Sequence, residues 1–205
     1  MYLLDMAEAG TLTITGTPSD VSTTPIDLIA GWNWISYLPQ NSGDVGGALS
    51  SVADLATFIN SQSSGTATNY GEYGWYGTLA ELDNREMYLL EMAAPATLTI
   101  TGMPVDVAST VIPLSSGWNW LGYTPQVSLG INVALSNIGP GNASYIKSQA
   151  AFADYYYGYG WFGQLSTMEP FGGYQLFMEN SDEFIYNLLN FPTNMTISNS
   201  RIDRL

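Results

Sequence analysis

No histidine and no cysteine occur among the 205 residues. That removes Ser-His-Asp triads, imidazole-bound zinc, thiolate nucleophiles and thiolate metal sites. Carboxylates remain, 18 of them, and two at suitable separation are enough for glycoside hydrolysis. The chain is written twice, however: "GWNWISYLPQ" at 31–40 recurs as "GWNWLGYTPQ" at 117–126. A catalytic pair built by a repeat should appear in both copies. Asp20/Asp106 is the one identical acidic pair, with Asp5/Glu91 and Asp83/Glu169 merely similar. No G-x-S-x-G, P-loop or dinucleotide fingerprint is present in a strand–helix context. The expectation is a non-catalytic protein without a cofactor. Two oxygen-rich stretches, "NSGDVGG" and "ELDNRE", lose most of their acids in the other copy. Neither has the ligand ladder of a calcium loop, so no metal site is expected.

Aromatic residues offer the other chemistry. "DYYYGYGWFG" (154–163) and "NYGEYGWYG" (69–77) set rings on a glycine-rich backbone, which marks loops and bulges rather than strand interiors. Tyr155, Tyr156, Tyr157, Tyr159 and Trp161 are the candidate ligand platform, with Tyr70, Tyr73, Trp75 and Tyr76 as the counterpart. Flat apolar faces with hydroxyl handles suit stacking on sugar rings. The bland alternative is that these rings cover the end of a barrel or the joint between units. Trp32, Trp34, Trp118 and Trp120 read differently. They share parity with the apolar residues just before them, so burial is expected for all four. Gln40/Gln126, Ser61/Ser148 and Gln62/Gln149 read as satisfiers of loose backbone groups at strand ends.

The elements that must hold these residues follow from the repeat. Residues 1–40 align without a gap on 87–126, an offset of 86. "FINSQ" (58–62) answers "YIKSQ" (145–149), and "YGWYGTL" answers "YGWFGQL". A partial third copy begins at "GYQLFM" (173–178), with "TNMTIS" (193–198) as an echo of "TLTITG". The boundaries read as an orphan end strand at 1–10, repeat units at 11–92 and 97–178, and a stub at 179–205. Met1 aligns in mid-pattern with Met87, which reads as a piece of a longer chain. Alternation in "TLTITG" and "GWNWISY" predicts strands. Val45, Ala48, Leu49 and Val52 predict one short helix near 45–53 with Asp44 as N-cap, repeated near 131–138. The fold expected is all-β with minor α: two tandem, pseudo-symmetric antiparallel barrel or sandwich units.

Charged residues are only 11% of the chain and the net charge is −14. Nucleic acid and anionic membrane surfaces are disfavoured, because no basic patch exists to displace counterions. No window reaches the length of apolar sequence a membrane helix needs.

The run "GWNWL-x-Y-x-PQ…YIKSQ-x-x-FA-x-Y…GW-x-G-x-L…GGYQLFM" resembles tandem modules of large secreted and cell-surface proteins of marine and Bacteroidetes-type bacteria. The resemblance implies an extracellular or cell-surface location and no particular chemistry. The functional expectation is a repeat module that binds neutral polysaccharide or another surface component through the Tyr/Gly tract. A purely structural spacer and a fragment of a carbohydrate-active enzyme are the alternatives.

Overall fold

Nine strands and one short helix appear in the same order in each repeat of the computed structural model, which describes residues 25–187. The strands expected at 1–10 and 11–16, and "TNMTIS", lie outside the described residues. In the first lobe the strands are β1 (Ile26–Leu28), β2 (Gly31–Ser36), β3 (Gly43–Asp44), β4 (Ala56–Ser61) and β5 (Thr66–Asn69). They continue with β6 (Trp75–Gly77), β7 (Glu81–Leu82), β8 (Met87–Met92) and β9 (Ala96–Leu98), and α1 is Val45–Ala48. The second lobe answers with β10 (Ile112–Leu114), β11 (Gly117–Gly122), β12 (Leu129–Gly130), β13 (Ala143–Lys147) and β14 (Phe152–Tyr156). It closes with β15 (Gly160–Gly163), β16 (Thr167–Met168), β17 (Gly173–Met178) and β18 (Asp182–Phe184), and α2 is Ile131–Ala134. The fold is all-β with minor helix, in two similar units.

Each lobe is one five-stranded antiparallel sheet, ordered β2-β8-β4-β5-β6 and β11-β17-β13-β14-β15, with two two-stranded ribbons laid on it. Alternation decides which face is inside. On β8, Tyr88, Leu90 and Met92 are buried while Leu89 and Glu91 stay half-exposed. Ribbons β1–β9 and β3–β7 and the helical turn cover that inner face, adding Leu28, Leu98, Leu82, Val45 and Leu49 to a continuous core. A bulge interrupts β4 between Ala56 and Phe58 and β13 between Ala143 and Tyr145, at matching places in the two copies.

The helices are shorter than their apolar spacing predicts. Asp44 caps α1 as expected, its carboxylate accepting from Gly47 N at 2.8 Å. Gly46 and Gly47 then weaken the helix, which tightens into a 3₁₀ turn at Ser50–Val52. In the second lobe Leu135 and Ile138 are still buried as the spacing requires, but on turns rather than helix.

The structural lobes are out of phase with the sequence repeat. β9, which opens the second repeat unit in the alignment, pairs with β1 of the first lobe in the register Ile26↔Leu98. Leu98 and Ile100 belong to the first core, whereas Val105 and Val107 belong to the second. β18 takes the place of β9 in the second lobe, so "DEF" at 182–184, rather than "TNMTIS", is the counterpart of "ATL" at 96–98. The period is unchanged; β8 and β9, which lie in different sheets of the first lobe, straddle the boundary between sequence units because both strands cover one core.

The lobes meet through matched contacts. Ile35 bridges Gly172 and Leu121 bridges Glu86, and adding or subtracting 86 turns one bridge into the other. Gln149 reaches from the second lobe to the backbone of Trp32 and Trp34, and Gln62 from the first to Trp118 and Trp120. The joint is therefore a pseudo-two-fold within one chain. It finishes the β2 and β11 edges, whose free backbone groups would otherwise invite strand addition.

Candidate functional site

The strand "GWNW" turns its tryptophans outward. Gly31 adopts φ 84° and Gly117 φ 94°, a left-handed corner that glycine tolerates. Asn33 locks that corner: its Oδ1 accepts from Ile29 N at 2.9 Å and its Nδ2 donates to Ile29 O and Gly31 O. Asn119 does the same around Ser115 and Gly117. The corner shifts the alternation by one residue. Asn33, Ile35 and Leu121 are buried, Asn119 is half-buried at its corner, and Trp32 and Trp118 stand 45% and 44% exposed. Trp34 and Trp120 are half-buried at the joint. The expectation that all four tryptophans are core is corrected here. Parity does not survive a glycine corner.

Register then places a row of rings across the outer face of the second sheet. Trp118 lies opposite Phe177, Phe177 opposite Tyr145, Tyr145 opposite Asp154, and Asp154 opposite Phe162. Directly opposed residues share a face. Four inter-strand gaps make the row about 19 Å long. Trp118 meets Phe177 and Tyr145 edge-on at 5.3 and 5.9 Å, and Phe152 stacks on Tyr145 at 5.8 Å with 19° between planes. Lys147 Nζ lies 5.1 Å from the Trp118 ring and 5.8 Å from that of Trp34. Tyr156 joins the far end, 5.9 Å from Phe162.

The first lobe builds the same row with different chemistry. Trp32, Glu91, Phe58, Thr68 and Tyr76 occupy the matching positions, and Trp32 keeps one edge-on partner, Phe58, at 6.0 Å. Glu91 stands for Phe177, and Thr66 for Phe152. One sheet face is aromatic; the other is mixed.

The Tyr/Gly tract divides between surface and core. Tyr157 and Tyr159 are 77% and 82% exposed on the turn between β14 and β15, and Tyr156 is exposed beside them. Tyr155 and Trp161 oppose each other on the inner face, rings 5.2 Å apart, and Trp161 is buried. Asn132 fixes Trp161 by accepting from its backbone N at 2.7 Å and donating to its carbonyl at 3.2 Å. Trp161 is thus withdrawn from the surface set, because strand alternation puts it with Tyr155 beneath the sheet. In the first lobe Tyr70, Tyr73 and Tyr76 are exposed, and Tyr70 packs edge-on to Tyr76 at 5.9 Å. Gly46 stands where Asn132 does, so a hollow of about 350 Å³ opens beside Trp75, Tyr76 and Asp44.

Buried tyrosines position the turns that flank the joint. Asp83 N donates to Tyr88 Oη at 2.6 Å, and Glu169 N to Tyr174 Oη at 2.7 Å. Burial pushes the Tyr174 hydroxyl up to about 12 and raises Tyr88 and Tyr123 well above the usual phenol range. Asp106, half of the one identical acidic pair, caps its own turn by accepting from Ala108 N and the Ser109 hydroxyl. Its mate Asp20 lies outside the described residues. No group of three or more carboxylates among the described residues could hold a metal ion, and no helix there is long and apolar enough to cross a membrane.

The aromatic row was hidden in plain alternation. "GYQLFM" buries Tyr174, Leu176 and Met178 and turns Gln175 and Phe177 outward, so the period alone assigns Phe177 to the surface. Comparison with known proteins finds no match: no family model, no curated protein and no solved structure is detectably similar to this chain.

Proposed function

We propose that this protein is a non-catalytic, secreted or cell-surface module that holds a neutral polysaccharide, or a glycan of a neighbouring surface, against the outer face of its second sheet. The observation that carries this reading is the exchange of Glu91 and Thr66 for Phe177 and Phe152 on an otherwise matching backbone. The first lobe folds without rings at those positions, so the fold itself does not require them. Exposed rings on a sheet offer flat apolar surface already held in place, and Tyr156, Tyr157 and Tyr159 add hydroxyls at its end. A net charge of −14 favours a neutral ligand, or one bridged by a cation. The surface location rests on the low content of charged residues and on the resemblance to surface-protein modules. Affinity for a single face would be modest, with tandem copies gaining by avidity.

The test exchanges residues between lobes. Phe152→Thr with Phe177→Glu gives the second face the first lobe's identities. Electrophoresis through gels containing neutral polysaccharides should show retardation of the wild type, its loss in the variant, and an unchanged melting temperature. A wild type that no polysaccharide retards supports the second reading, a spacer that projects other domains. The reciprocal glutamine links at the joint favour that reading, since they stiffen the pair of lobes.

A further inference from the structure

We infer that the cleft at the joint between the lobes is a second sugar-binding site, which takes a single neutral pyranose-type unit at the end of the aromatic row. The ligand class rests on the proposed function; the site rests on the geometry of the joint. The cleft has a volume of about 520 Å³, within the usual range for small-ligand sites. Trp118 and Trp120 form one side, and Ser63, Asp83, Arg85 and Glu86 face them from the first lobe. Trp118 belongs to both features, so a glycan lying along the row reaches the cleft with its last unit.

The pseudo-two-fold provides an internal control. The joint is made twice, by the same bridge and the same glutamine link. In the mate, Ala150 stands for Ser63, Phe171 for Arg85 and Gly172 for Glu86. Phe171, at φ 62°, is buried in the first lobe's core. In the second lobe the same region of core is served by Tyr186, larger than its counterpart Ile100, with its hydroxyl bonded to Gly122 O at 2.8 Å. Arg85 is thereby released to the surface, where its charged partner among the described residues is Asp83 at 3.7 Å. Joining the lobes therefore does not demand the polar wall, which stands on one side only.

The wall suits a polyol. The guanidinium presents a planar fork of donors. The Glu86 carboxylate already accepts from the Ser61 and Ser63 hydroxyls, at 3.0 and 3.1–3.2 Å, and keeps acceptor capacity for more. Donors and acceptors set opposite indole surface match a ring with hydroxyls at its edge and an apolar face. Asp83 and Glu86 beside the single guanidinium disfavour an anionic sugar.

Laminarihexaose, cellohexaose and mannohexaose are titrated into the full chain by calorimetry. Arg85→Phe with Glu86→Gly copies the mate's segment into the cleft and should weaken binding at least about ten-fold, the loss of one or two charge-assisted hydrogen bonds. Arg85→Lys, which keeps the charge and loses the fork, should weaken it less. Should the double variant fail to fold, Arg85→Ala carries the same expectation. Full affinity in the folded variant overturns the cleft, whatever the aromatic face does. Loss on Arg85 substitution with no effect of the Phe152/Phe177 exchange upholds the cleft and overturns the face. A wild type that binds none of the three overturns both.

Discussion

Gln149 in the second lobe hydrogen-bonds the backbone on both sides of Asn33 in the first, accepting from Trp34 N at 3.1 Å and donating to Trp32 O at 2.6 Å. The amide imitates one residue of a neighbouring strand. Gln62 does the same for Trp118 and Trp120, at 2.6 Å for both bonds. Two edge strands are finished by side chains rather than by strands, and each cap comes from the other lobe.

Gln149→Ala should cost about 1–3 kcal/mol, the range for leaving backbone groups unpaired. Denaturant melting measures the loss. Amide exchange locates it: the Trp34 amide should exchange faster in Gln149→Ala, and the Trp120 amide faster in Gln62→Ala, without crossover.

Trp161 and Trp118 should respond oppositely to truncation. Trp161→Ala empties a buried site and should cost about 3–5 kcal/mol. Trp118→Ala removes a ring that is 44% exposed and should cost clearly less, while weakening retardation in polysaccharide gels. Equal destabilisation by the two substitutions would contradict the outward orientation of "GWNW".

Stability should fall at both ends of the pH scale for identifiable reasons. The Asp182 carboxylate accepts from Asn142 Nδ2 at 3.0 Å and Gly139 N at 2.9 Å, and these bonds hold it below the usual carboxylate range. Its contribution is present above that range and is lost as pH falls through the depressed value. The melting temperatures of wild type and Asp182→Ala should differ at neutral pH and converge in acid. Tyr174 runs the other way. Its hydroxyl is pushed up to about 12 by burial, so the stability it lends is complete below the ordinary phenol value and disappears as pH rises toward 12. Tyrosinate absorbance should therefore develop in two stages, the second coincident with unfolding.

Thr124 is 1% exposed and its hydroxyl has no hydrogen-bond partner among the described residues. Leu38 is its counterpart in the first lobe. Thr124→Val keeps the shape and removes the unpaired group, so it should stabilise by about 1–2 kcal/mol in thermal or urea melts.

The β character, the two-fold repetition, the Asp44 cap and the structural part of Gln62 and Gln149 are all legible in the residues. Strand alternation and turn residues report directly on local geometry. The orientation of "GWNW" is not, because one left-handed glycine moves every later side chain to the other face. The burial of Trp161 escapes a linear reading for a related reason. Glycine on either side suggests a loop, yet Gly160 and Gly163 lie in β15, where close pairing of Gly163 with Ala153 leaves no room for a Cβ. The aromatic row escapes a linear reading because its members lie on four strands plus β11, and only register brings them into line. The joint cleft depends on which of two equivalent crevices each large side chain chose to fill.

The matched bridges of Ile35 with Gly172 and of Glu86 with Leu121 have a consequence for assembly. A head-to-tail joint leaves one surface open at each end and can grow without limit into a filament. A joint in which both partners offer the same patch consumes that patch on both and stops at two. The unit of construction here is accordingly the pair, and any array of such repeats would advance two copies at a time, as a string of closed couples.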